Sequence, residues 1–462
     1  MSDKVTAKGY LPNDTPPLGE TILLGIQHIL TMFPATVLVA LLVGFHVGTV
    51  LLASGISTIV ALLLSRWRLG KFIPLYYGSS FSYIAAILAV TNASFAQPAS
   101  DDLIRTAQAG IIVTGLLNVL VGIIIRFAGG KKAIDIVLPP IVTGSVAAVI
   151  GFALGFAALD MASGHWPVAI ITLVVTVAFS VYLQGRGFIG MLPVLLGAIV
   201  GYLVAIPFGL VDFTPVAQAQ VIVPPHITFP KFTGELAGTA IIGIAVMAIA
   251  TIPESTAHLY QISLYVDQLA KQMGKEGYKL SEYIGFNLVL DGIGDMIGGL
   301  LGGTAGTNYG ENNSLMVITR NYSGPALIAA GVIAILLSFS GTLAAFVSSI
   351  PVPVSGGLAI YLFGVIGMQG VALMMAEKVD LFAPRQLAVG AVIVIIGVGG
   401  HIGYPGGFLP IPALTGIFPQ GWPAIATGAV AGILLNLLFE LIKPPVVEAV
   451  GEPAVEPVMG DK

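Results

Sequence analysis

Long apolar segments alternate with short polar or glycine- and proline-containing stretches along almost the whole chain. A helix that crosses a membrane needs about 20 mainly apolar residues, and segments of this kind predict fourteen spans. They cover residues 19–43, 44–65, 72–90, 106–128, 133–156, 166–184, 187–210, 236–263, 282–303, 309–321, 323–349, 353–376, 385–401 and 420–443. The pattern therefore predicts an all-α, polytopic membrane protein.

The third and tenth spans differ from the others because their first halves are short or polar. Residues 75–80 and 307–312 each contain a Tyr-Gly pair followed by polar side chains. Irregular backbone at membrane depth is tolerated only where protein or a cavity covers it. We therefore expect each of these spans to form a short strand followed by a half-length helix that borders a polar pocket.

The composition agrees with a membrane protein and excludes several other classes. The 462 residues are 56% hydrophobic and 9% charged, with a net charge of -4. No basic face can neutralise a phosphate backbone, so we expect no nucleic-acid partner. Cysteine is absent, and no metal-ligand cluster or nucleophile–base spacing is recognisable. We therefore predict no enzyme activity, no cofactor and no metal.

The basic residues fall almost entirely on one side of the predicted topology. With a cytoplasmic N-terminus, 17 of the 19 Lys and Arg residues lie on the cytoplasmic side, and only Arg105 and Lys231 lie on the other. An excess of Lys and Arg is typical of cytoplasmic loops. We therefore expect a multi-pass protein of the inner (plasma) membrane, in contact with the lipid bilayer, with both termini cytoplasmic.

The two halves of the chain contain similar short segments in the same order. Pro34 and Pro253 interrupt the first and eighth spans. Similar segments recur in the same order at 19–20 and 234–235, at 77–80 and 309–312, and at 140–144 and 353–357. Two repeats of seven spans must be inverted relative to each other, because seven is odd. Inverted repeats with interrupted segments at corresponding positions indicate a secondary transporter whose substrate binds near the middle of the membrane.

Two acids mark the candidate pocket. A carboxylate at membrane depth costs about 2.5–3.5 kcal/mol unless it faces a cavity or a partner, so Glu254 and Glu311 are candidate site residues. Glu254 and His258 share a helix face and can pass a proton, although such a pair could also only tether two helices. Glu311 follows Gly310, where the backbone can approach a ligand closely, but it could also serve only to complement a helix dipole.

Other polar and aromatic residues could have a functional or a structural role. Gln27 and His28 could line the pocket or brace it. Asp291 or Asp295, one turn apart in the ninth span, could bond back to the loop of the tenth span, and Asp295 is expected to have a structural role. Phe81 could stack on a flat ligand or only pack against its neighbours. The remaining histidines, at 46, 165, 226 and 401, lie at span ends or in loops and receive no role.

Four motifs in a fixed order resemble those of the nucleobase–ascorbate transporter family. The tenth-span signature of that family is similar to residues 311–320, with Ser314 in place of its glycine. The Gln-His pair of the first span resembles Gln27-His28. The Glu-x-x-x-His motif of bacterial uracil permeases resembles 254–258, and their Gly-Ser-Ser-Phe motif resembles 78–81. The resemblance covers nearly the whole chain.

The resemblance implies a division into a core and a gate domain, with short strands in spans 3 and 10. The segments are a cytoplasmic N-terminal segment 1–18, core 19–128 and 236–349, gate 133–210 and 353–443, an external connection 211–235 and a cytoplasmic tail 444–462. It also implies a homodimer formed through the gate domains, and an elevator-like movement of the core with its substrate.

The resemblance further implies roles for individual residues. Glu254 and Glu311 would accept hydrogen bonds from the N–H groups of a nucleobase. The backbone N–H groups of Phe81 and Gly310 would meet its carbonyl oxygens, with Ser80 and Tyr309 beside them. His258 would tune the protonation of Glu254, which together with Glu311 would couple transport to protons. The supporting residues would be Gln27, His28, Asn312, Asp291 and Thr319.

The resemblance leaves the substrate open between two branches. An acid at Glu311 is similar to the uracil carriers, whereas Asp291 is similar to the purine carriers. We expect uracil import by proton symport, with a purine (xanthine, guanine or urate) as the alternative substrate and Na⁺ as an alternative coupling ion. An anion exchanger of the same architecture is a more distant alternative. It is disfavoured because two unpaired carboxylates would repel an anion.

Overall fold

The structure, a computed structural model, describes residues 9–128, 136–413 and 421–442. The predicted cytoplasmic tail 444–462 and residues 1–8 lie outside this part. The helices are α1 (Leu18–Val43), α2 (Val47–Leu69), α3 (Ile84–Thr91), α4 (Asp101–Ala128), α5 (Pro140–Ala153), α6 (Gly155–Ser163), α7 (Trp166–Tyr182), α8 (Pro193–Ala205), α9 (Thr214–Gln218), α10 (Ala237–Val246), α11 (Ala248–Gln272), α12 (Ile284–Leu301), α13 (Gly310–Thr319), α14 (Gly324–Ser338), α15 (Gly341–Ser348), α16 (Val352–Ala376), α17 (Pro384–Val394), α18 (Gly400–Gly403) and α19 (Ala424–Leu441).

Short elements complete the fold. The strands are β1 (Tyr77–Ser79), β2 (Gly306–Asn308), β3 (Phe408–Leu409) and β4 (Trp422–Pro423). Single 3₁₀ turns occur at Phe81–Tyr83, Gly187–Met191, Leu280–Tyr283 and Pro405–Gly407, and a π turn at Ile395–Gly399 joins α17 to α18. A π turn of this kind lets a helix continue with one extra residue.

The prediction of a helical, polytopic membrane protein is confirmed. Within the described residues, nine helical segments are long and apolar enough to cross a membrane. There are also four shorter apolar helices, at Phe81–Thr91, Trp166–Tyr182, Pro193–Ala205 and Gly324–Ser338. With these and α13, each predicted span corresponds to a helical segment. The same order of elements appears in both halves of the chain, which is consistent with two repeats.

Several predicted boundaries and breaks are wrong. The fifth span continues through Ser163 rather than ending at 156. The eighth span breaks at Met247, whose N–H bonds the carbonyl of Ile244, and not at Pro253, which lies inside α11. Pro34 likewise lies inside an unbroken α1. A proline removes one helical hydrogen bond, but both helices continue past it.

The centre of the fold is a two-stranded antiparallel crossing. Tyr77 of β1 pairs with Asn308 of β2, and Ser79 pairs with Gly306. Each strand leads directly into a half-length helix, as the sequence predicts. Because the strands are antiparallel, these helices start at opposite ends of the crossing and run away from each other.

The crossing also corrects the alignment of the two repeats. The sequence pairs Tyr77 with Tyr309, but Tyr77 lies in β1, whereas Tyr309 follows β2. The structural counterpart of Tyr309 is Ser80, because each of these residues precedes the first helical turn of its span. The Tyr-Gly pairs of the two spans are therefore offset by three residues when the strands and helix starts are superimposed.

Glycines bring the helices of the core into backbone contact. A Cβ atom added at Gly115 of α4 would lie 2.5 Å from the carbonyl oxygen of Gly292 in α12. One added at Gly122 would lie 2.5 Å from that of Gly285. Small residues at such spacing let membrane helices pack closely. This contact holds α4 and α12 against the strand crossing.

Candidate functional site

Two helix starts meet the strand crossing, and each offers a free backbone donor. The N–H groups of Phe81 and Gly310 form no hydrogen bond with any described residue. The first N–H groups of a helix have no partner within the helix, and they attract polar or negative ligand atoms. Ser80, by contrast, uses its own N–H to bond the carbonyl of Ala305 at 3.1 Å.

The two acids predicted for the site lie beside these helix starts. Glu254 of α11 is half-buried, and its carboxylate forms no side-chain hydrogen bond within the described residues. Glu311 is the second residue of α13 and is exposed. The two carboxylates are close enough to interact electrostatically. The structure therefore brings both acids together with unused acceptor oxygens.

His258 is held by Asn308 rather than by Glu254. Its Nδ1 lies 2.8 Å from the side-chain oxygen of Asn308 and 3.0 Å from the backbone oxygen of the same residue. Both partners are acceptors, so Nδ1 must carry the proton. The other ring nitrogen, Nε2, faces Gly310, where an added Cβ would lie only 2.7 Å away. The imidazole thus presents Nε2 to the start of α13.

A buried polar network fixes Asn308 in turn. Its amide nitrogen donates to Ser255 Oγ at 2.6 Å, and Asn287 donates to the same oxygen at 2.7 Å. Ser255 donates to Asp291, which also accepts a long bond of 3.4 Å from Asn308. Asp291 therefore supports His258 from behind the strand.

The predicted support residues of the first span also reach the tenth. The amide nitrogen of Asn312 donates to Nδ1 of His28 at 3.0 Å and to its backbone oxygen at 3.1 Å. His28 and Asn312 are both buried. The oxygens Oε1 of Gln27 and Oδ1 of Asn312 are buried without a partner in the described residues. The first span therefore braces α13 from the side opposite His258.

The side chain of Tyr309 contacts both β1 and α1. Its hydroxyl donates to the backbone oxygen of Ser79 at 2.9 Å, so the 2.8 Å contact with Thr36 must be donated by the threonine. Its ring also stacks on Tyr76, with the centroids 6.3 Å apart. Both aromatic side chains are buried. Tyr309 therefore acts through its backbone position and its contacts, with its hydroxyl already satisfied.

Phe81 lies between the site and a helix of the second half. Its ring is half-buried and meets the ring of Phe363 in α16 edge-on, with a centroid distance of 6.1 Å. Ser80 is buried, and its hydroxyl accepts the N–H of Ser82 at 3.2 Å, capping the turn that carries Phe81. One face of Phe81 is thus engaged by packing.

Thr319 is the predicted site residue that the structure keeps apart. It is the last residue of α13, and its hydroxyl bonds the carbonyl of Leu315 at 2.8 Å. Ser314, which replaces the glycine of the family signature, bonds the carbonyl of Gly310 at 3.0 Å. Both hydroxyls bond backbone carbonyls of their own helix, so a serine is accommodated at position 314.

Asp295, for which the sequence suggests a structural role, is a second anchor of the crossing, and sequence reasoning missed only its partner Asn118. Asp295 accepts the N–H of Gly306 at 2.7 Å and the amide of Asn118 at 2.9 Å. Asn118 lies in the middle of an apolar span, and an isolated amide in such a span is a signal that could have identified it. This bond fixes the beginning of β2.

Comparison with known proteins agrees with this geometry. A family model described as "Permease family" matches residues 19–405. The chain belongs to the nucleobase–ascorbate transporter family. The uracil permease of Bacillus caldolyticus is 37% identical over 440 residues, covering 92% of this chain and 93% of the relative. The uracil permease of Escherichia coli (strain K12) is 35% identical over 450 residues, covering 95% of each chain.

Solved structures of other transporters share the fold of this nucleobase–ascorbate transporter family member. The transmembrane domain of the cyanobacterial bicarbonate transporter BicA has a TM-score of 0.53 at 16% identity, covering 93% of this chain and 98% of that one. Murine Slc26a9, an anion transporter in the inward-facing state, has a TM-score of 0.61 at 12% identity, covering 93% and 69%. At such identities the likeness concerns the fold alone.

Proposed function

We propose that the protein imports uracil by proton symport, with the ring held between the starts of α3 and α13. The observation that carries the proposal is the pairing of two free backbone donors, at Phe81 and Gly310, with two unpaired carboxylates, at Glu254 and Glu311. Two relatives that cover more than nine-tenths of the chain are named uracil permeases, which supports the same substrate class.

Uracil matches this set of groups by its hydrogen-bonding edge. The ring alternates N–H donors with carbonyl acceptors and is neutral at pH 7. Glu254 and Glu311 would accept from the two N–H groups, and the free backbone N–H groups would donate to the carbonyl oxygens. Hydrogen bonds to a charged partner contribute about 1.5–3 kcal/mol each. Phe81 would cover one face of the ring.

Proton coupling would use the groups nearest the substrate. His258 has one nitrogen fixed by Asn308, so a proton arriving at the ring must occupy Nε2, beside Gly310 and Glu311. A proton that binds this nitrogen as substrate is loaded would partly neutralise the carboxylates. His258 would thereby couple the charge of both acids to the occupancy of the site. Na⁺ is the alternative coupling ion, and the uptake test below distinguishes it from a proton.

Alternating access would follow the core and gate division. Under this proposal, the core (19–128 and 236–349) carries the site past the gate (133–210 and 353–443). The Phe81–Phe363 contact would then be one that breaks and re-forms, because the two rings belong to different domains. The gate domains would pair in a homodimer in the inner membrane, with both termini cytoplasmic.

The alternatives differ in what the pocket must accept. Xanthine carries the same alternating edge as uracil on a larger ring, so a purine is the second candidate substrate. The sequence argument for purines used Asp291, whose carboxylate accepts hydrogen bonds from Ser255 and Asn308. The names of the relatives favour uracil. An anion would lie against two carboxylates, which disfavours the exchanger alternative.

The test is uptake of labelled uracil by purified protein in proteoliposomes, with Glu254→Gln alongside the wild type. We expect accumulation driven by an inward proton gradient, abolished by a protonophore and unchanged by a Na⁺ gradient. Unlabelled uracil should compete better than xanthine, guanine, hypoxanthine or urate, and bicarbonate should not compete. Glu254→Gln should lose accumulation. Accumulation that requires Na⁺, or uphill uptake that persists in the variant, would contradict the coupling mechanism.

A further inference from the structure

A second cluster of polar groups lies at the end of the core predicted to face outside. His46 precedes α2, Asp101 begins α4, and His226 belongs to the long connection between the two halves. The sequence gives these residues no role, because they are up to 180 positions apart. The fold brings one donor atom from each to within 4.8 Å of the other two.

The geometry of the three donors is close to that of a metal site. His226 Nε2 lies 3.0 and 3.1 Å from the two oxygens of Asp101. The rings of His46 and His226 are tilted, with their centroids 4.4 Å apart. Metal–ligand distances of 2.0–2.2 Å place the donors of a tetrahedral zinc site about 3.3 Å apart. Small side-chain rotations would therefore bring all three donors onto one ion.

The backbone around the cluster is already fixed. Thr49 of α2 donates to the backbone oxygen of His226 at 2.7 Å. Farther along the connection, the N–H of Lys231 bonds the carbonyl of Arg105 at 2.8 Å, and Thr228 bonds Gln108 at 2.7 Å. The connection is thus tied to the starts of α2 and α4 at its histidine and in the residues that follow it. Rigid supports of this kind hold metal ligands in place.

Access and charge also suit an ion. His226 and Asp101 have side chains about half exposed, at 50% and 56%. His46 and His226 border a cavity of about 180 Å³. Lys231 of the same connection is paired with Asp102 at 2.6 Å, and the carboxylate of Asp101 bonds His226.

The donor set selects the class of ion. Two imidazoles and one carboxylate suit Zn²⁺ and other divalent first-row transition metals, whereas Mg²⁺ and Ca²⁺ prefer oxygen donors. Three protein ligands leave a fourth position for water facing the cavity. We propose that His46, Asp101 and His226 form a Zn²⁺-class site that fastens the connection between the repeats to the outer end of the core. The site is separate from the proposed uracil site.

The experiment is titration of ZnCl₂ into the purified, chelator-treated full chain, followed by calorimetry and by the melting temperature. The wild type should bind one Zn²⁺ per chain and melt at a higher temperature with the ion. His46→Gln, His226→Gln and Asp101→Asn should each weaken binding at least about 10- to 100-fold, the loss typical even for removal of an outer-shell partner. Asp101→Asn can keep a hydrogen bond to His226, which protects the fold of that variant.

The matched control is His165→Asn, which changes a histidine that is also predicted to face outside but lies apart from the cluster. Its Nδ1 caps α7 by accepting the N–H of Val168 at 3.3 Å, and asparagine retains such a cap. This variant should bind Zn²⁺ like the wild type. No binding by the wild type, or equal binding by the wild type and all three cluster variants, would overturn the proposal. Uracil uptake has no part in this test, so its outcome is independent of the transport proposal.

Discussion

Spans 3 and 10 have the same architecture and different chemistry. Each consists of a three-residue strand, a residue in extended conformation and a short helix. In span 3 that intermediate residue is Ser80, whose hydroxyl caps the following turn. In span 10 it is Tyr309, which has no side-chain cap, so the N–H groups of the first turn stay available.

The side chains that follow reinforce this difference. Span 3 continues with Phe81, which offers a ring and a backbone N–H. Span 10 continues with Gly310 and Glu311, which offer a close backbone approach and a carboxylate, and His258 supports them from α11. The repeated architecture thus provides two opposed helix starts, and the unequal side chains place the charge on one of them. The following changes test that division, from the largest expected effect to the smallest.

The first change is Gly310→Ala in span 10. The added Cβ would lie 2.7 Å from Nε2 of His258, and the ring cannot move freely because Asn308 holds it. The start of α13 or the imidazole must shift, and misplacement approaching 1 Å costs about 100-fold in comparable sites. We expect uracil affinity to fall by about that factor in equilibrium binding. Gly155→Ala, which adds a Cβ in open space, should bind normally; equal affinities for the two variants would refute the close approach.

The second change is Glu311→Gln, which keeps the shape and removes the charge. Loss of one hydrogen bond to a charged group, about 1.5–3 kcal/mol, corresponds to roughly 10-fold or more in affinity. The control is Glu20→Gln, an exposed acid at the start of α1. The dissociation constant for uracil should rise only in the first variant. Undiminished binding by Glu311→Gln would remove this acid from the site.

The third change is Phe81→Ala in span 3. An aromatic contact contributes about 0.5–1.5 kcal/mol beyond its buried area, so uracil affinity should fall by roughly 3- to 10-fold. Phe363→Ala removes the same ring pair from the opposite side. It should leave affinity within about 2-fold while altering the transport rate. If both variants lose affinity equally, Phe81 acts through packing alone.

The smallest effect is expected for Ser80→Ala. It removes the cap of the turn after β1, worth about 1 kcal/mol, and leaves the N–H of Phe81 in place. We expect a melting temperature lower by about 1–2 °C and an unchanged dissociation constant for uracil. A large loss of binding in this variant would show that span 3 contributes side-chain chemistry as well as backbone.

The sequence predicts the parts of this protein that depend on local patterns. Apolar segments identify the spans, and the polar first halves of spans 3 and 10 identify the strands and half-helices, because both signals lie within a few neighbouring residues. The breaks in helices are less predictable: Pro34 and Pro253 mark no interruption, whereas Met247 does. A proline removes only one hydrogen bond of its helix, so its presence in one segment does not show whether the helix breaks there.

Contacts between distant residues are the part that the sequence does not reveal. Glu254 and His258 share a helix face, which suggests that they pair. The hydrogen-bond partner of His258, however, is Asn308 in another span. The cluster of His46, Asp101 and His226 likewise exists only because the starts of α2 and α4 meet the long connection between the two halves. The alignment of Tyr77 with Tyr309 fails for the same reason, since identical letters serve different positions of the crossing.

The most direct measurement is an experimental structure of the protein with uracil bound. Our account predicts the ring between Phe81 and Gly310, with the carboxylates of Glu254 and Glu311 within hydrogen-bonding distance of its N–H groups. Uracil found elsewhere in the molecule, or bound there without contact to either acid, would contradict it.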